Sequence, residues 1–348
     1  MPHFAARPRF GGCGNLGRVP IHILEHNSRV LKGNPLGDPT HRELWVYLPP
    51  GAEKGDRRHP VLWHLIGFTG TGSMAVTGNR WAPGLAERLD RLIEKGCPPV
   101  IVAFPDCFTR LGGSQYMNSA ATGRYEDYLC DELIPFVDGS LPTLPFRDAR
   151  GVFGKSSGGY GALRLGMLRP DLFSAVACHS GDMAFALTYL PGFAKTAARL
   201  AKAGSLEKWL AEFEACEKKK SADSDAINTI AMASCYSPEP GRPLGLALPF
   251  DLESGEILPK VWARWKEHDP VEMVRRHADA LRRLKLLFLD CGSDDEYHLH
   301  LGMRLFAKRC AELGIPCEAL EFPDDHKSIS YRYDVSVPKL ARALASRT

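Results

Sequence analysis

The chain lacks several features that would assign it to a particular class of protein. No apolar run among its 348 residues reaches the roughly 18 to 20 residues that a membrane-spanning helix needs. Its N-terminus has no apolar signal core. Its formal net charge of +3 is too small to suggest a nucleic-acid partner. From these absences we expect a cytoplasmic protein with neither a membrane nor a nucleic-acid partner.

The cysteines also lack a pattern. None of the ten forms a C-x-x-C pair, which argues against a zinc site. Several lie in apolar runs, where a thiol behaves as a small hydrophobic side chain. Because no export signal accompanies them, we expect reduced thiols, as in the cytoplasm.

What is present is an alternation of short apolar runs with longer helical patterns. The apolar runs lie at 42–49, 59–66, 98–105, 150–154, 173–180, 284–292 and 316–322. The helical patterns lie at about 82–95, 124–138, 158–169, 300–313 and 336–346. Alternation of this kind predicts an α/β fold with a mostly parallel central sheet covered by helices on both faces. The first one or two strands are the candidates for antiparallel pairing.

The alternation stops between Met183 and Ala280. Helical patterns at 206–220 and 260–283 flank a turn-rich stretch at 236–256. We interpret this segment as a helical cap inserted between two strands of the sheet. The predicted organisation is an N-terminal arm at 1–39, core residues at 40–182, the cap insertion at 183–280 and further core residues at 281–348.

The stretch GVFGKSSGGYG at 151–161 fits two kinds of site. Its GKS resembles the end of a phosphate-binding loop, but that motif needs glycine where this chain has Ala149. The loop would also have to include residues 150–154, which form an apolar, strand-like run. The other interpretation is a strand, a sharp G-x-S-x-G turn with an exposed serine nucleophile, and a helix. Strand and helix patterns flank the stretch in that order, which favours the elbow.

Steric demands decide which serine is the candidate nucleophile. In such an elbow, side chains two residues before and after the serine would collide with neighbouring backbone. Ser156 has Gly154 and Gly158 at these positions, whereas Ser157 would place Lys155 at one of them. We therefore predict that Ser156 is the nucleophile. A Ser/Gly turn without chemistry is the alternative, so a histidine and a carboxylate are also needed.

Both partners occur in the expected order after later strands. The sequence GSDDEY follows the apolar run at 284–292, and we choose Asp295 as the acid, with Asp294 in reserve. PDDHKS follows the next run and contains His326, the predicted base. Loops at the carboxyl ends of strands are where open α/β sheets place their chemistry.

An acyl-transfer site also needs backbone donors for the oxyanion. One is the N–H of Ser157, which follows the nucleophile directly. The second should come from a loop after an earlier strand, and HLIGFTGTGS fits this place. We predict the N–H of Phe68, with Thr69 in reserve. A plain glycine-rich turn is the alternative.

Four separated blocks resemble the putative-esterase branch of the α/β-hydrolase superfamily, which includes S-formylglutathione hydrolases, feruloyl esterases and enterochelin esterases. The blocks are GGSQYMNSAATGRYEDYLCDELIPFVD, GKSSGGYGALRLGMLRPDLFSAVACHSG, LDCGSDDEYHLHLGMRLF and FPDDHKSISYRYD. The resemblance implies an α/β-hydrolase fold, with Ser156 as nucleophile, Asp295 as acid and His326 as base. LIGFTG resembles the oxyanion loop of the S-formylglutathione hydrolases, which supports Phe68.

This chain departs from the branch in two places. Many members have His-Gly where it has Ile66-Gly67, and the insert at 183–280 matches no segment that we can place. Because substrate choice is expected to depend on the insert, the resemblance does not identify the substrate.

The predicted function is that of a serine carboxylesterase, which cleaves a small-molecule ester through an acyl-serine intermediate without a metal or organic cofactor. Three alternatives remain open: acyl transfer to an alcohol or sugar, a serine peptidase of the same fold, and a binding module with a vestigial triad. Members of the branch often self-associate, which leaves a homo-oligomer open.

Overall fold

The structure is a computed structural model that describes residues 21–53, 57–79 and 81–345. The first 20 residues of the predicted arm, with Cys13, lie outside these ranges. Within the described part, an eight-stranded sheet has the order β1-β2-β4-β3-β7-β8-β9-β10, and β5 pairs with β6 separately. The strands are β1 (Ile21–Asn27), β2 (His41–Tyr47), β3 (Val61–Leu65), β4 (Ile101–Phe104), β5 (Asn118–Ser119), β6 (Gly123–Arg124), β7 (Arg150–Lys155), β8 (Ala175–His179), β9 (Leu286–Gly292) and β10 (Glu318–Phe322).

The main sheet is mostly parallel, as the alternating pattern predicts. Strand β2 runs antiparallel to both β1 and β4, while β4, β3, β7, β8, β9 and β10 are mutually parallel. All seven predicted strands are present. The prediction of an arm at 1–39 is wrong for residues 21–27, which form the edge strand β1. The polar residues of IHILEHN obscured a strand that buries only Leu24.

The described α-helices surround the sheet and form the cap. They are α1 (Gly72–Val76), α2 (Leu85–Glu94), α3 (Tyr125–Asp127), α4 (Ile134–Ser140), α5 (Ser157–Leu168), α6 (Phe185–Thr188), α7 (Leu190–Ala203), α8 (Leu206–Ala215), α9 (Ser224–Tyr236), α10 (Pro259–Lys266), α11 (Pro270–Met273), α12 (Ala278–Arg282), α13 (Leu299–Glu312) and α14 (Tyr333–Ala345). A π-helical segment, Tyr128–Leu133, joins α3 to α4, and short 3-10 segments lie at Arg147–Ala149, Ser221–Asp223, Pro243–Gly245 and Ile329–Arg332.

Apolar clusters cover both faces of the sheet. On one face, residues of α5 and α13, such as Leu163 and Phe306, belong to the same apolar cluster as Trp63 of β3. On the other face, residues of α2 and α14 share a second cluster with Leu62, the neighbour of Trp63 along the same strand. Successive side chains of a strand point to opposite faces. A strand covered on both faces is therefore apolar throughout, which explains the continuous apolar runs.

The segment between β8 and β9 contains seven α-helices, α6 to α12, and α6 to α10 contribute most of a further apolar cluster. Trp209 and Trp265 are fully buried in it, and Trp209 stacks on Phe213. The sequence patterns missed α7 and α9, and in α9 the many small residues weaken the apolar periodicity. The helix predicted at 206–220 ends at Ala215. The helix predicted at 260–283 is three short helices, because Pro270 interrupts it and Asp269 caps the next one.

The order of the strands creates a crevice at the carboxyl end of the sheet. The chain passes from β3 outward to β4 and later returns to place β7 on the other side of β3. The loops after β3 and β7 therefore diverge, and ligands of open α/β sheets bind at such a point. Among the described helices, none is both long enough and apolar enough to cross a membrane.

Candidate active site

Ser156 lies in the turn between β7 and α5. Its backbone has φ +59° and ψ −128°, a conformation that a non-glycine residue adopts only under strain. Two hydrogen bonds hold it there: its N–H donates to the carbonyl of His179 at 2.9 Å, and its carbonyl accepts from the N–H of Tyr160 at 2.9 Å. Backbone of this kind presents the Ser156 hydroxyl at the end of the sheet, above the start of α5.

The flanking glycines have the steric reason that the sequence predicts. A Cβ on Gly154 would lie 2.3 Å from the carbonyl oxygen of Leu65, and one on Gly158 would lie 1.9 Å from the same oxygen. Both residues pass against the end of β3, where backbone cannot move aside. Residues 150–154 belong to β7, so they do not form the open loop that a phosphate site requires.

The three predicted side chains come together at this point. His326 Nε2 lies 3.1 Å from Ser156 Oγ, and His326 Nδ1 lies 2.8 Å from Asp295 Oδ2. The other carboxylate oxygen of Asp295 accepts the backbone N–H of Tyr297 at 3.0 Å. The hydrogen bond to Asp295 favours the histidine tautomer with its proton on Nδ1. Nε2 is then free to accept the proton of the serine hydroxyl.

The electrostatics of Asp295 suit this arrangement. Burial raises the pKa of its carboxyl, but the hydrogen bond and charge of His326, with further backbone hydrogen bonds, outweigh burial and leave the pKa below its usual value. Asp295 is therefore ionised near neutral pH. The reserve candidate Asp294 is exposed, and the side-chain contact described for it is a hydrogen bond with Ser293.

Glu296 connects the loop of Asp295 to the loop of His326, a contact that the sequence patterns did not predict. Its carboxylate accepts the backbone N–H of His326 at 2.9 Å and pairs with Lys327 at 3.2 Å. The N–H of Asp294 also donates to the carbonyl of Asp324 at 3.1 Å. The loops that carry Asp295 and His326 are thus joined to each other directly by hydrogen bonds. The acidic sequence DDE at 294–296 and the sequence DDHK at 324–327, with its adjacent histidine and lysine, are the signal that could have indicated this pairing.

The loop after β3 lies against Ser156. A Cβ on Gly67 would be 3.4 Å from the Cβ of Ser156. The N–H of Thr69, the reserve donor, is taken by the carbonyl of Gly112 at 2.8 Å. Within the described part of the chain, no acceptor is recorded for the N–H of Phe68. The N–H of Ser157 belongs to the first turn of α5, where backbone donors have no partner inside the helix.

A cavity of about 400 Å³ opens onto these groups. Ser156, His326 and Phe68 line one side of it, and α9 lines another. The sequence patterns did not find α9 as a wall of the site, because its residues are distant along the chain. Among the described residues, no group of three or more His, Cys, Asp or Glu side chains could hold a metal ion. The lining residues are Gly67, Phe68, Thr69, Lys155, Ser156, Ser157, Asp182, Thr188, Tyr189, Ser224, Asp225, Ile227, Asn228, Tyr297, Leu299 and His326.

The chain resembles proteins of known families in sequence. A family model described as "Putative esterase" matches residues 39–318. S-formylglutathione hydrolase of Paracoccus denitrificans (strain Pd 1222) is 32% identical in an alignment of 174 residues that covers 44% of this chain and 54% of that protein. The mouse S-formylglutathione hydrolase is 26% identical over the same shares. The match spans about half the length of these curated relatives.

Solved structures resemble the whole of the chain. A ferulic acid esterase has a TM-score of 0.61 at 17% identity and covers 94% of this chain and 99% of its own. An S-formylglutathione hydrolase from Agrobacterium tumefaciens has a TM-score of 0.56 at 17% identity, with 94% and 96% covered. At such identities the similarity concerns the fold. The predicted α/β-hydrolase fold is confirmed.

Proposed function

This chain belongs to the esterase family, and from that premise we propose that it is a serine carboxylesterase with Ser156, His326 and Asp295 as its catalytic triad. The observation that carries the proposal is the continuous hydrogen-bond chain from Ser156 Oγ through the His326 ring to Asp295 Oδ2, with steps of 3.1 Å and 2.8 Å. This chain of contacts opens onto a cavity large enough for a small ester. Similarity to ester-cleaving relatives supports the same reaction class.

The first half-reaction forms an acyl-serine. His326 Nε2 takes the proton of the Ser156 hydroxyl while Oγ attacks the ester carbonyl carbon. The negative charge that develops on the carbonyl oxygen is received by the N–H groups of Phe68 and Ser157, and loss of one such donor typically lowers turnover about 100- to 1,000-fold. The protonated His326 ring then gives its proton to the leaving alcohol.

The second half-reaction restores the enzyme. A water molecule replaces the alcohol, His326 takes a proton from it, and the resulting hydroxide attacks the acyl carbon. The bond to Ser156 Oγ breaks, and the serine recovers its proton from His326. Asp295 stays ionised throughout and stabilises the imidazolium form in both halves. If an alcohol entered in place of water, the same groups would perform acyl transfer.

The test is labelling with a fluorophosphonate, read by intact-mass spectrometry, together with hydrolysis of p-nitrophenyl esters from acetyl to octanoyl. We expect one adduct on the wild-type protein and none on Ser156→Ala, with ester turnover lost in that variant. Ser336→Ala is the matched control, because Ser336 also contacts a histidine but lies in the core. An unlabelled wild type without turnover, or a Ser156→Ala variant that still turns over, would overturn the proposal.

A further inference from the structure

Asp182 is a buried carboxylate that lines the cavity beside the nucleophile. It follows β8, its side chain belongs to a residue only 7% exposed, and it is part of the cavity wall. Its Oδ2 accepts hydrogen bonds from Gln115 Nε2 at 3.1 Å, from the Tyr189 hydroxyl at 3.0 Å and, more weakly, from the Ser157 hydroxyl at 3.5 Å. No contact is recorded for Oδ1 within the described residues.

The other buried carboxylates of the described chain are compensated more fully. Asp223 and Asp290 pair with arginines, and Asp295 contacts His326. Among the described residues, Asp269 has no cation within 4.0 Å, and Glu132 has only the exposed Arg29 at 3.6 Å. In each of these two acids, however, both carboxylate oxygens accept hydrogen bonds. Within the described residues, only Asp182 among these six buried acids has neither a cation within 4.0 Å nor a partner for its second oxygen.

A carboxylate in this state is costly unless something compensates it. Burying a charge without a counter-ion is unfavourable, so buried acids are normally paired. Burial, partly offset by the Gln115 and Tyr189 hydrogen bonds, raises the pKa of the Asp182 carboxyl. The free oxygen belongs to a residue of the cavity wall, where a ligand rather than the protein can supply the missing partner.

The surrounding wall also offers hydrogen-bond acceptors, and among the described residues none of its cations pairs with Asp182. Ser224 and Asn228 of α9 line the same cavity, and no side-chain hydrogen bond is recorded for either. Lys155 lines it as well, but forms no ion pair with Asp182 within 4.0 Å. Burial lowers the pKa of the Lys155 ammonium, and the negative charges of Asp295, Glu296 and Asp325 partly offset this effect. These three acids belong to the loops that carry Asp295 and His326.

We propose that Asp182 binds an ammonium group, so that the substrates of this site are amine-bearing esters. The free Oδ1 accepts one N–H of the ammonium, and the amide oxygen of Asn228, which lines the same cavity, accepts a second. The ammonium could belong to the acyl part or to the alcohol part of the ester. This inference rests on the proposed esterase function, because the same serine must attack both charged and neutral esters.

The experiment compares isosteric esters that differ by an ammonium in place of a methyl group. On the acyl side, p-nitrophenyl β-alaninate is compared with p-nitrophenyl butyrate; on the alcohol side, 6-aminohexyl acetate is compared with heptyl acetate. The quantity is the ratio of kcat/KM within each pair, in the wild type and in Asp182→Asn. We expect Asp182→Asn to lower one ratio on the order of 10- to 100-fold, while the neutral ester changes little. The pair that responds identifies the side that carries the amine.

Asp279→Asn is the matched variant, because its exposed carboxylate pairs with Arg282 at 2.6 Å and does not line the cavity. Its ratios should change by less than about threefold. If both variants leave both ratios unchanged, the inference is wrong. Neutral-ester turnover that depends on Ser156 keeps the proposed function intact in that case.

A second measurement needs no variant and so does not depend on whether Asp182→Asn folds. Butylammonium should inhibit p-nitrophenyl butyrate hydrolysis competitively, and methyl propyl ether, a neutral compound of the same size that cannot accept an acyl group, should inhibit at least about tenfold more weakly. Equal inhibition by the two compounds would overturn the inference, whatever the variant shows.

Discussion

The described residues contain two Ser–His–Asp groups, and their hydrogen bonds are alike. In the first, the His326 ring lies 3.1 Å from Ser156 Oγ and 2.8 Å from Asp295. In the second, the His179 ring lies 2.8 Å from Ser336 Oγ through Nε2 and 2.5 Å from Asp290 through Nδ1. Distances alone would assign a catalytic triad to both. The surroundings of the two serines distinguish them.

Ser156 lies in a strained turn at a cavity, next to backbone donors without partners. Ser336 lies inside α14, is fully buried, and faces a histidine and an aspartate that are each 1% exposed. Asp290 also pairs with Arg332 at 2.9 Å, whereas Asp295 has no arginine partner among the described residues. A catalytic serine needs access for substrate and donors for the oxyanion, and the buried group offers neither.

The buried group instead joins elements that carry the active site. His179 ends β8, Asp290 lies in β9, and Arg332 and Ser336 belong to the segment after His326. The carbonyl of His179 accepts the N–H of Ser156, and the carbonyl of Asp290 accepts the N–H of Ser180 at 2.7 Å. The same three residue types therefore form the proposed catalytic triad beside the cavity and a packing contact in the core, and three substitutions separate these two roles.

The largest effect is expected for Asp295→Asn. The amide cannot hold His326 in the tautomer that accepts a proton from Ser156, so turnover of a p-nitrophenyl ester should fall about 10,000-fold. The measurement is kcat at saturating ester. The thermal midpoint should stay close to that of the wild type, because the amide fills the same space. A loss of less than tenfold would contradict the assignment of the acid.

Asp290→Asn should act on stability rather than on chemistry. It leaves Arg332 and the buried His179 without their carboxylate, so we expect the free energy of unfolding to fall by about 3 kcal/mol. Urea denaturation measures this change. Turnover per folded molecule should remain within about tenfold of the wild type. A loss of activity as large as that of Asp295→Asn at unchanged stability would show that the second group is catalytic.

Ser336→Ala should give the smallest effect. It removes one hydrogen-bond partner of His179 Nε2 in the core, and such a loss costs about 1 to 3 kcal/mol of unfolding free energy. The same urea titration detects it, and fluorophosphonate labelling should be unaffected. A decrease in labelling of fully folded Ser336→Ala would show that Ser336 takes part in the reaction. The Ser336 group could then no longer be distinguished from the Ser156 group as purely structural.

Much of the fold and the triad could be predicted because their signals are local. The central strands β3, β4 and β8 could be predicted because every one of their residues is buried, and residues covered on both faces of a sheet are mostly apolar. Ser156 could be chosen over Ser157 because only Ser156 has glycine two residues before and after it, and Gly154 and Gly158 pass too close to the Leu65 carbonyl for any side chain. Asp295 and His326 could be found because parallel strands bring their carboxyl ends to one edge. Strand β1 was missed because an edge strand tolerates polar residues.

The sequence by itself thus determined the strand pattern, the elbow and the order of the triad residues, each of which depends on short-range sterics or periodicity. Only the tertiary structure decided that the N–H of Thr69 is occupied, that α9 walls the cavity, and that Asp182 is left with a free oxygen. It also decided that His179 and Ser336 are sealed in the core. These properties depend on contacts between residues far apart in the chain, and burial and pairing leave no local pattern.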